Sequence, residues 1–297
     1  MPAPDAVDSI RRDVTSGASE LVRRAADVVV SLLDGAPPAD LPDALRDLGR
    51  RLIEAQPAMA TMHALVRSVL AAAEESPAEP AVVRTAARRF VADAERALKQ
   101  LAERADGLLP EGGRVMTHSA SGTVRDALRL AASRRSFDVV CLEGRPNLEG
   151  RRMARTLADS GLAVTLAVDA AAASLVRGCD VVIVGADAIA DAGVVNKIGT
   201  RPLAVVARRC GVPVYVLSDT TKLLPPGVPL DFEDARGAAE VWPDAPPGVR
   251  IWNRYFEATP LGFFDGVLTE DGLRSEQEIE DARGAIDVPA VLRDSAG

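Results

Sequence analysis

The sequence predicts an α/β fold, an all-helical N-terminal domain followed by a Rossmann-like, doubly wound parallel sheet. Three observations carry this. Up to residue 105 the apolar positions recur with a helical period, and beyond residue 113 short β-branched runs alternate with short helical patterns. The run Val181-Val-Ile-Val184 is apolar at every position, as expected of a strand covered on both faces.

In chain order, Val14, Ala18, Leu21, Val22, Ala25, Val28 and Val29 set a 3.6-residue period over 8–34, closed by Asp34-Gly35 and Pro37-Pro38. Further helices are expected over 42–55, over 57–75, where Ser76-Pro77 interrupts, and over 80–105. The last is long enough to bridge into a second domain, which divides the chain into 1–106 and 107–297. After Leu109-Pro-Glu-Gly-Gly113 the period changes. Strands are expected at 115–117, 137–142, 163–168, 181–184 and 214–217, with helices near 122–134, 148–160, 170–178 and 199–210. The Gly/Pro-rich stretch 225–248 reads as loop, and the tail beyond Gly284 as a poorly ordered end or an interface arm.

Composition narrows the class. Hydrophobic residues make up 47% of the 297 and aromatics only 3%, so the core must be aliphatic. A net charge of −8 disfavours a direct grip on nucleic acid. No apolar run reaches the roughly 18–20 residues that span a bilayer, and the N-terminus lacks a basic region followed by a hydrophobic one. A cytoplasmic protein that does not engage a membrane is expected. Cys141, Cys179 and Cys210 lack metal-ligand spacing and read as free thiols in a reducing compartment, and neither metal nor cofactor is expected.

In open α/β sheets ligands bind beyond the carboxyl ends of the strands. The apolar run ends at Gly185, which leaves Asp187 at a strand end with Asn196 and Lys197 shortly after it. Gly199-Thr200 then opens a helical pattern whose free N–H groups suit an anion. By residue type, Asp187 could equally cap the next segment or pair with Lys197.

Gly185-Ala186-Asp187 followed by Asn196-Lys197-Ile198-Gly199-Thr200 resembles the core motif of a family that joins three groups. These are the methylthioribose-1-phosphate isomerases, the archaeal-type ribose-1,5-bisphosphate isomerases and the regulatory subunits of eukaryotic initiation factor 2B. Other matches keep the family's order: Thr117-His118, Glu143-Gly144-Arg145-Pro146 with Gly150, Asp169 with Ala173, Thr221-Lys222, and Asn253 through Phe256-Glu257 to Pro260. The resemblance covers residues 112–272, and more weakly the N-terminal third.

The resemblance implies a homodimer or higher homo-oligomer, with the Asn253–Pro260 end of the fold at its interface. It also implies a pocket for a phosphorylated sugar or a nucleoside monophosphate, in which an aldose 1-phosphate becomes a ketose 1-phosphate. Asp187 matches the catalytic carboxylate, and an apolar wall would raise its pKa enough to make it an acid. Ser119 stands where the isomerases carry a cysteine, and a hydroxyl cannot replace that thiol as an acid without a strong neighbouring base. The Ser119–Ser121–Gly122 turn could hold a phosphate, or either serine could simply N-cap the next helix.

Arg145 is expected to clamp a phosphate, with an ion pair to Glu143 or Glu149 as its alternative. Asn196 and Lys197 match a substrate-contacting pair, and Lys222 a lysine at the pocket rim. Ser16-Gly17-Ala18 resembles an Arg-Gly-Ala phosphate turn with serine for arginine, and Gln56-Pro57 an Arg-Pro segment with glutamine for arginine. Both changes favour a ligand with fewer negative charges; by type alone, Gly17 could serve helix packing instead. His118 could be a proton shuttle, but at a strand end between Thr117 and Ser119 it reads more readily as a hydrogen-bonded structural histidine. Two functions remain open, an isomerase in which Asp187 works with a rearranged proton donor, and a regulatory binding protein resembling the initiation-factor subunits.

Overall fold

The computed structural model describes residues 4–13, 15–34, 40–77, 79–232 and 235–288. Five helices come first: α1 (Pro4–Arg12), α2 (Ala18–Leu33), α3 (Leu41–Ala55), α4 (Ala60–Glu75) and α5 (Pro80–Ala105). The single helix expected over 8–34 is therefore two. The Asp13 carboxylate accepts from the N–H groups of Thr15 and Ser16 at 3.0 and 2.8 Å, a local turn that competes with helix continuation. Val14, the stop signal at 35–38 and the tail beyond 288 lie outside the described residues. Helix α5 opens on a proline, whose missing N–H costs nothing in a first turn.

The α/β part runs β1 (Arg114–His118), α6 (Gly122–Ala132), β2 (Asp138–Leu142), α7 (Glu149–Asp159), β3 (Ala163–Ala167), α8 (Ala172–Leu175) and β4 (Val181–Gly185). It continues with β5 (Ala188–Ala190), β6 (Gly193–Lys197), α9 (Thr200–Arg209), β7 (Val214–Leu217), β8 (Phe256–Thr259), β9 (Gly266–Thr269), β10 (Gly272–Arg274) and α10 (Glu276–Gly284). The helix expected near 170–178 is only the four residues of α8 between two 3-10 turns.

The main sheet has the order β10-β9-β7-β4-β1-β2-β3, parallel except for β10. Leu101 and Ala105 of α5 pack with Val124 and Leu128 of α6 against one face, and Leu203, Ala204 and Ala207 of α9 cover the other. A separate apolar cluster fills the helical domain, with Leu21, Leu52 and Leu65 at its centre. The strand order reverses between β1 and β4, so their carboxyl ends open a crevice there. A second, antiparallel sheet β5-β6-β8, absent from the sequence expectation, stands beside the crevice. The Ala60 N–H at the start of α4 bonds to the Asp187 carbonyl at 3.2 Å, tying the helical domain to the same place. Among the described residues no helix is long and apolar enough to cross a membrane.

Candidate functional site

A cavity of about 970 Å³ lies between the helical domain and the carboxyl ends of β1 and β4. Two helix N-termini face it. Gly17 caps α2 without a side-chain hydrogen bond, and a Cβ added there would meet nothing within 4 Å. The glycine is therefore no packing device, and it leaves the first amides of α2 open to the cavity. At α6, Ser121 accepts from the Val124 N–H at a long 3.4 Å and takes the N-cap position. Ser119, nearly buried, ends the β1 turn with φ +62°, its N–H bonded to the Leu142 carbonyl at 3.3 Å.

Asp187 follows β4 on the cavity wall. Burial pushes its carboxyl above the ordinary value; Glu149 adds to this, while Lys222 and Lys197 oppose it. Its side chain does not pair with Lys197. The Lys197 ammonium sits 2.5 Å from Glu149 Oε1 instead, with its charge 4.8 Å from the centre of the Tyr255 ring. Asn196 donates to the Thr200 hydroxyl at 3.0 Å, and Lys222 lies 3.9 Å from Asp219. Gly17, Ala18, Ser119, Ser121, Asp187, Asn196, Lys197 and Lys222 thus share one cavity.

Arg145, the expected phosphate clamp, is not among its lining residues. It is exposed, its backbone N–H donates to Asp169 at 2.7 Å and its guanidinium reaches the Val241 carbonyl at 3.3 Å. Neither Glu143 nor Glu149 pairs with it in the ion pairs described: Arg151 takes Glu143 and Lys197 takes Glu149. The cause is the turn itself, where Asp169 also accepts from Gly144 N–H at 2.8 Å and fixes the backbone so that Arg145 points away.

The α9 N-terminus is not open to a ligand either. Glu257 Oε1 accepts from the N–H groups of Gly199 and Arg201 at 2.7 and 2.9 Å, so the chain supplies its own anion. His118 Nε2 lies 2.8 Å from the Ile198 carbonyl, so that nitrogen must carry the hydrogen. Burial lowers its pKa, against that hydrogen bond and the Asp169 charge, which fits a structural histidine. Among the described lining residues there is no cysteine, and Cys141 on β2 has its thiol pushed up to about 12 by burial. No group of three or more His, Cys, Asp or Glu among the described residues could hold a metal ion.

Residues 14–275 match the Initiation factor 2 subunit family. The chain belongs to that family. It is 29% identical over 276 residues to a ribose 1,5-bisphosphate isomerase of Archaeoglobus fulgidus, covering 90% of this chain and 88% of the relative. A ribose 1,5-bisphosphate isomerase of Methanocaldococcus jannaschii is 33% identical, over 77% of this chain and 76% of its own. A putative translation initiation factor eIF-2B subunit 2-like protein of Pyrococcus horikoshii is 31% identical, over 89% and 93%. Among solved structures, the Pyrococcus horikoshii translation initiation factor eIF-2B superposes with a TM-score of 0.81 at 29% identity, covering 91% of this chain and 95% of that one. The 5-methylthioribose 1-phosphate isomerase of the same organism shares the fold with a TM-score of 0.74 at 22% identity, over 94% and 86%.

Within this family member, Gln56, one of the two positions expected to have lost arginine, does structural work through its side chain. The Gln56 amide donates to the carbonyls of Ile10 and Asp13 at 2.7 and 3.1 Å, and Ser16 N–H closes the Asp13 turn. Burial alone would raise the Asp13 pKa, but the Ser16 and Thr15 hydrogen bonds and Arg24 hold the carboxyl far below the usual range. Sequence reasoning did not single out Glu149 as a lining residue, nor the aromatic wall of Tyr255 and Phe256. β8 alternates apolar and polar as Phe256-Glu257-Ala258-Thr259, but four residues are too few for that alternation to mark a strand.

Proposed function

We propose that this cavity binds a sugar 1-phosphate and isomerises the aldose to the ketose. The observation that carries the reading is Asp187, a carboxyl whose pKa burial raises, on the wall of a cavity faced by two helix N-termini. The open amides of α2, with Lys222 beside them in an adjoining crevice, suit one phosphate, and the serine-rich turn at α6 suits a second anionic or hydroxyl group. An anomeric phosphate blocks spontaneous ring opening, so a neutral acid aimed at the ring oxygen is what the reaction lacks in water. Asp187 supplies it, Asn196 and Lys197 hold the sugar, and the helical domain excludes solvent. The relatives named ribose 1,5-bisphosphate isomerase support this substrate class.

The test follows ribose 1,5-bisphosphate and methylthioribose 1-phosphate by NMR, with wild type and Asp187→Asn. Ketose is expected from wild type, with kcat reduced at least about 100-fold in the variant. Ligand that raises the melting temperature without forming ketose would overturn turnover and leave a binding protein of the regulatory kind, which Ser119 in the cysteine position favours.

The protein is further proposed to work in the cytoplasm as a homo-oligomer. Among the described residues the outer edge of β3 is unpaired, and Leu166, Val168, Val241 and Trp242 are exposed on either side of the Arg145 link between Asp169 and Val241. A second copy of the chain would cover them.

A further inference from the structure

Glu149 is a second carboxylate in the cavity beside Asp187. It opens α7 on the cavity wall, with Oε1 2.5 Å from Lys197 Nζ. Its second oxygen, Oε2, is shut off from water without a hydrogen-bond partner. A buried carboxylate oxygen left without a donor opposes folding, so its retention calls for an explanation.

Backbone strain gathers at the same point. Among the described residues only two non-glycine residues have positive φ: Ser119 at 62°, and Leu148, immediately before Glu149, at 61°. Strain of this kind collects where function over-determines the backbone. Gly144 stands between the two. A Cβ there would lie 3.1 Å from Glu149 Oε2 and 3.1 Å from both Cα and Cβ of Ser119, so a glycine keeps open the gap between carboxylate and serine. Carboxylate, ammonium, serine and Asp187 therefore surround one volume.

We propose that Glu149 is the general base of this site, making the carbon-to-carbon proton transfer that the Ser119 hydroxyl is too weakly acidic to make. The role rests on the isomerase reading above. Asp187 gives its proton to the ring oxygen as the bond from C1 to that oxygen breaks. Glu149 takes the proton from C2 on Oε1, the oxygen beside Lys197, rather than on the shut-off Oε2, and the electron pair of that bond closes a C1–C2 double bond to give an enol phosphate. The enol hydroxyl at C2 then returns a proton to Asp187 while Glu149 delivers its own to C1. The product is a ketose 1-phosphate, with both carboxyl groups restored and no oxidant or reductant consumed. Lys197 faces Glu149 throughout, and Asp187 and Glu149 divide the acid and base work.

The experiment compares wild type, Glu149→Gln and Glu149→Asp in the ketose assay, with the ligand-induced rise in melting temperature measured in parallel. Glutamine keeps an acceptor for Lys197 but cannot take a proton. The expected result is kcat down at least about 100-fold in Glu149→Gln, KM within about threefold, the ligand-induced rise retained and activity partly restored in Glu149→Asp. Glu149→Gln turning over within threefold of wild type would overturn the base role and leave the isomerase standing. Loss of ligand stabilisation together with activity would also overturn it, because Glu149 would then only position Lys197. Absence of ketose from wild type itself would overturn the isomerase reading and this role with it.

Discussion

At the scale of single residues, Asp187 couples function to stability. Its folded-state pKa is raised by burial above the unfolded value near 3.8, so between these two values the folded chain binds the proton and the unfolded chain does not. Unfolding then releases a proton, and stability falls as pH rises through that window. Asp187→Asn removes the liability. The variant is expected to melt with wild type at pH 3.8 and below, and a few degrees above it at neutral pH, in thermal scans across that range. Equal melting temperatures at neutral pH would mean that the lysines offset the burial completely. Asp187, Asn196, Lys197 and Lys222 were legible because a strand-end break and a short motif fix them locally. Arg145 was not, because its direction depends on Asp169, 24 positions later, which holds its backbone. The pairing of Lys197 with Asp187, one alternative the local sequence offers, is not formed, and the lysine's partner Glu149 arrives from a different strand–helix unit.

At the scale of elements, two contacts decide whether helices can dock where the cavity needs them. A Cβ at Gly150 would stand 2.0 Å from the Leu142 carbonyl, so α7 reaches β2 only through a glycine. Gly150→Ala is expected to cost about 3 kcal/mol or more, read as a lower urea midpoint at unchanged slope. Glu257 satisfies the α9 N-terminus, and Glu257→Ala is expected to cost about 1–2 kcal/mol. Added sulfate should recover part of that loss in the variant and do little for wild type, since only the variant leaves the amides free; an equal response would put the sulfate elsewhere. Periodicity places α5 over 80–105, where burial repeats over many residues, and continuous apolar runs locate β1, β2, β3, β4 and β7. These signals miss β5, β6, β8, β9, β10 and α10, short elements of which β8 and β9 pair with strands roughly 50–65 residues earlier, and they run α1 into α2 because the Asp13 turn lies in an amphipathic run.

At the scale of the whole molecule, β10 and β3 are the two edge strands of the main sheet among the described residues. Leu166 and Val168, at 44% and 56% exposure, flank the β3 edge, and Trp242 at 46% stands on the neighbouring loop. With so few aromatic residues in the chain, a half-exposed Trp is an expensive surface feature unless something covers it. The interface expected at Asn253–Pro260 is partly spoken for within the chain. Asn253 donates to Gly237 and Glu240 at 2.9 and 2.7 Å, and Tyr255 turns toward Lys197. The proposed contact at the β3 edge lies beside the Asp169 turn that holds the Gly144–Arg145 backbone, while Trp252, 64% exposed, keeps the Asn253–Pro260 end open as a second candidate face. Wild type is expected to sediment as a dimer at micromolar concentration, with a melting temperature that rises with protein concentration. Val168→Asp puts a charge into the centre of the patch without touching the cavity, and is expected to give monomers whose melting temperature no longer depends on concentration. A wild type that sediments as a monomer across that range would remove the interface, and with it the reason for these side chains to be exposed.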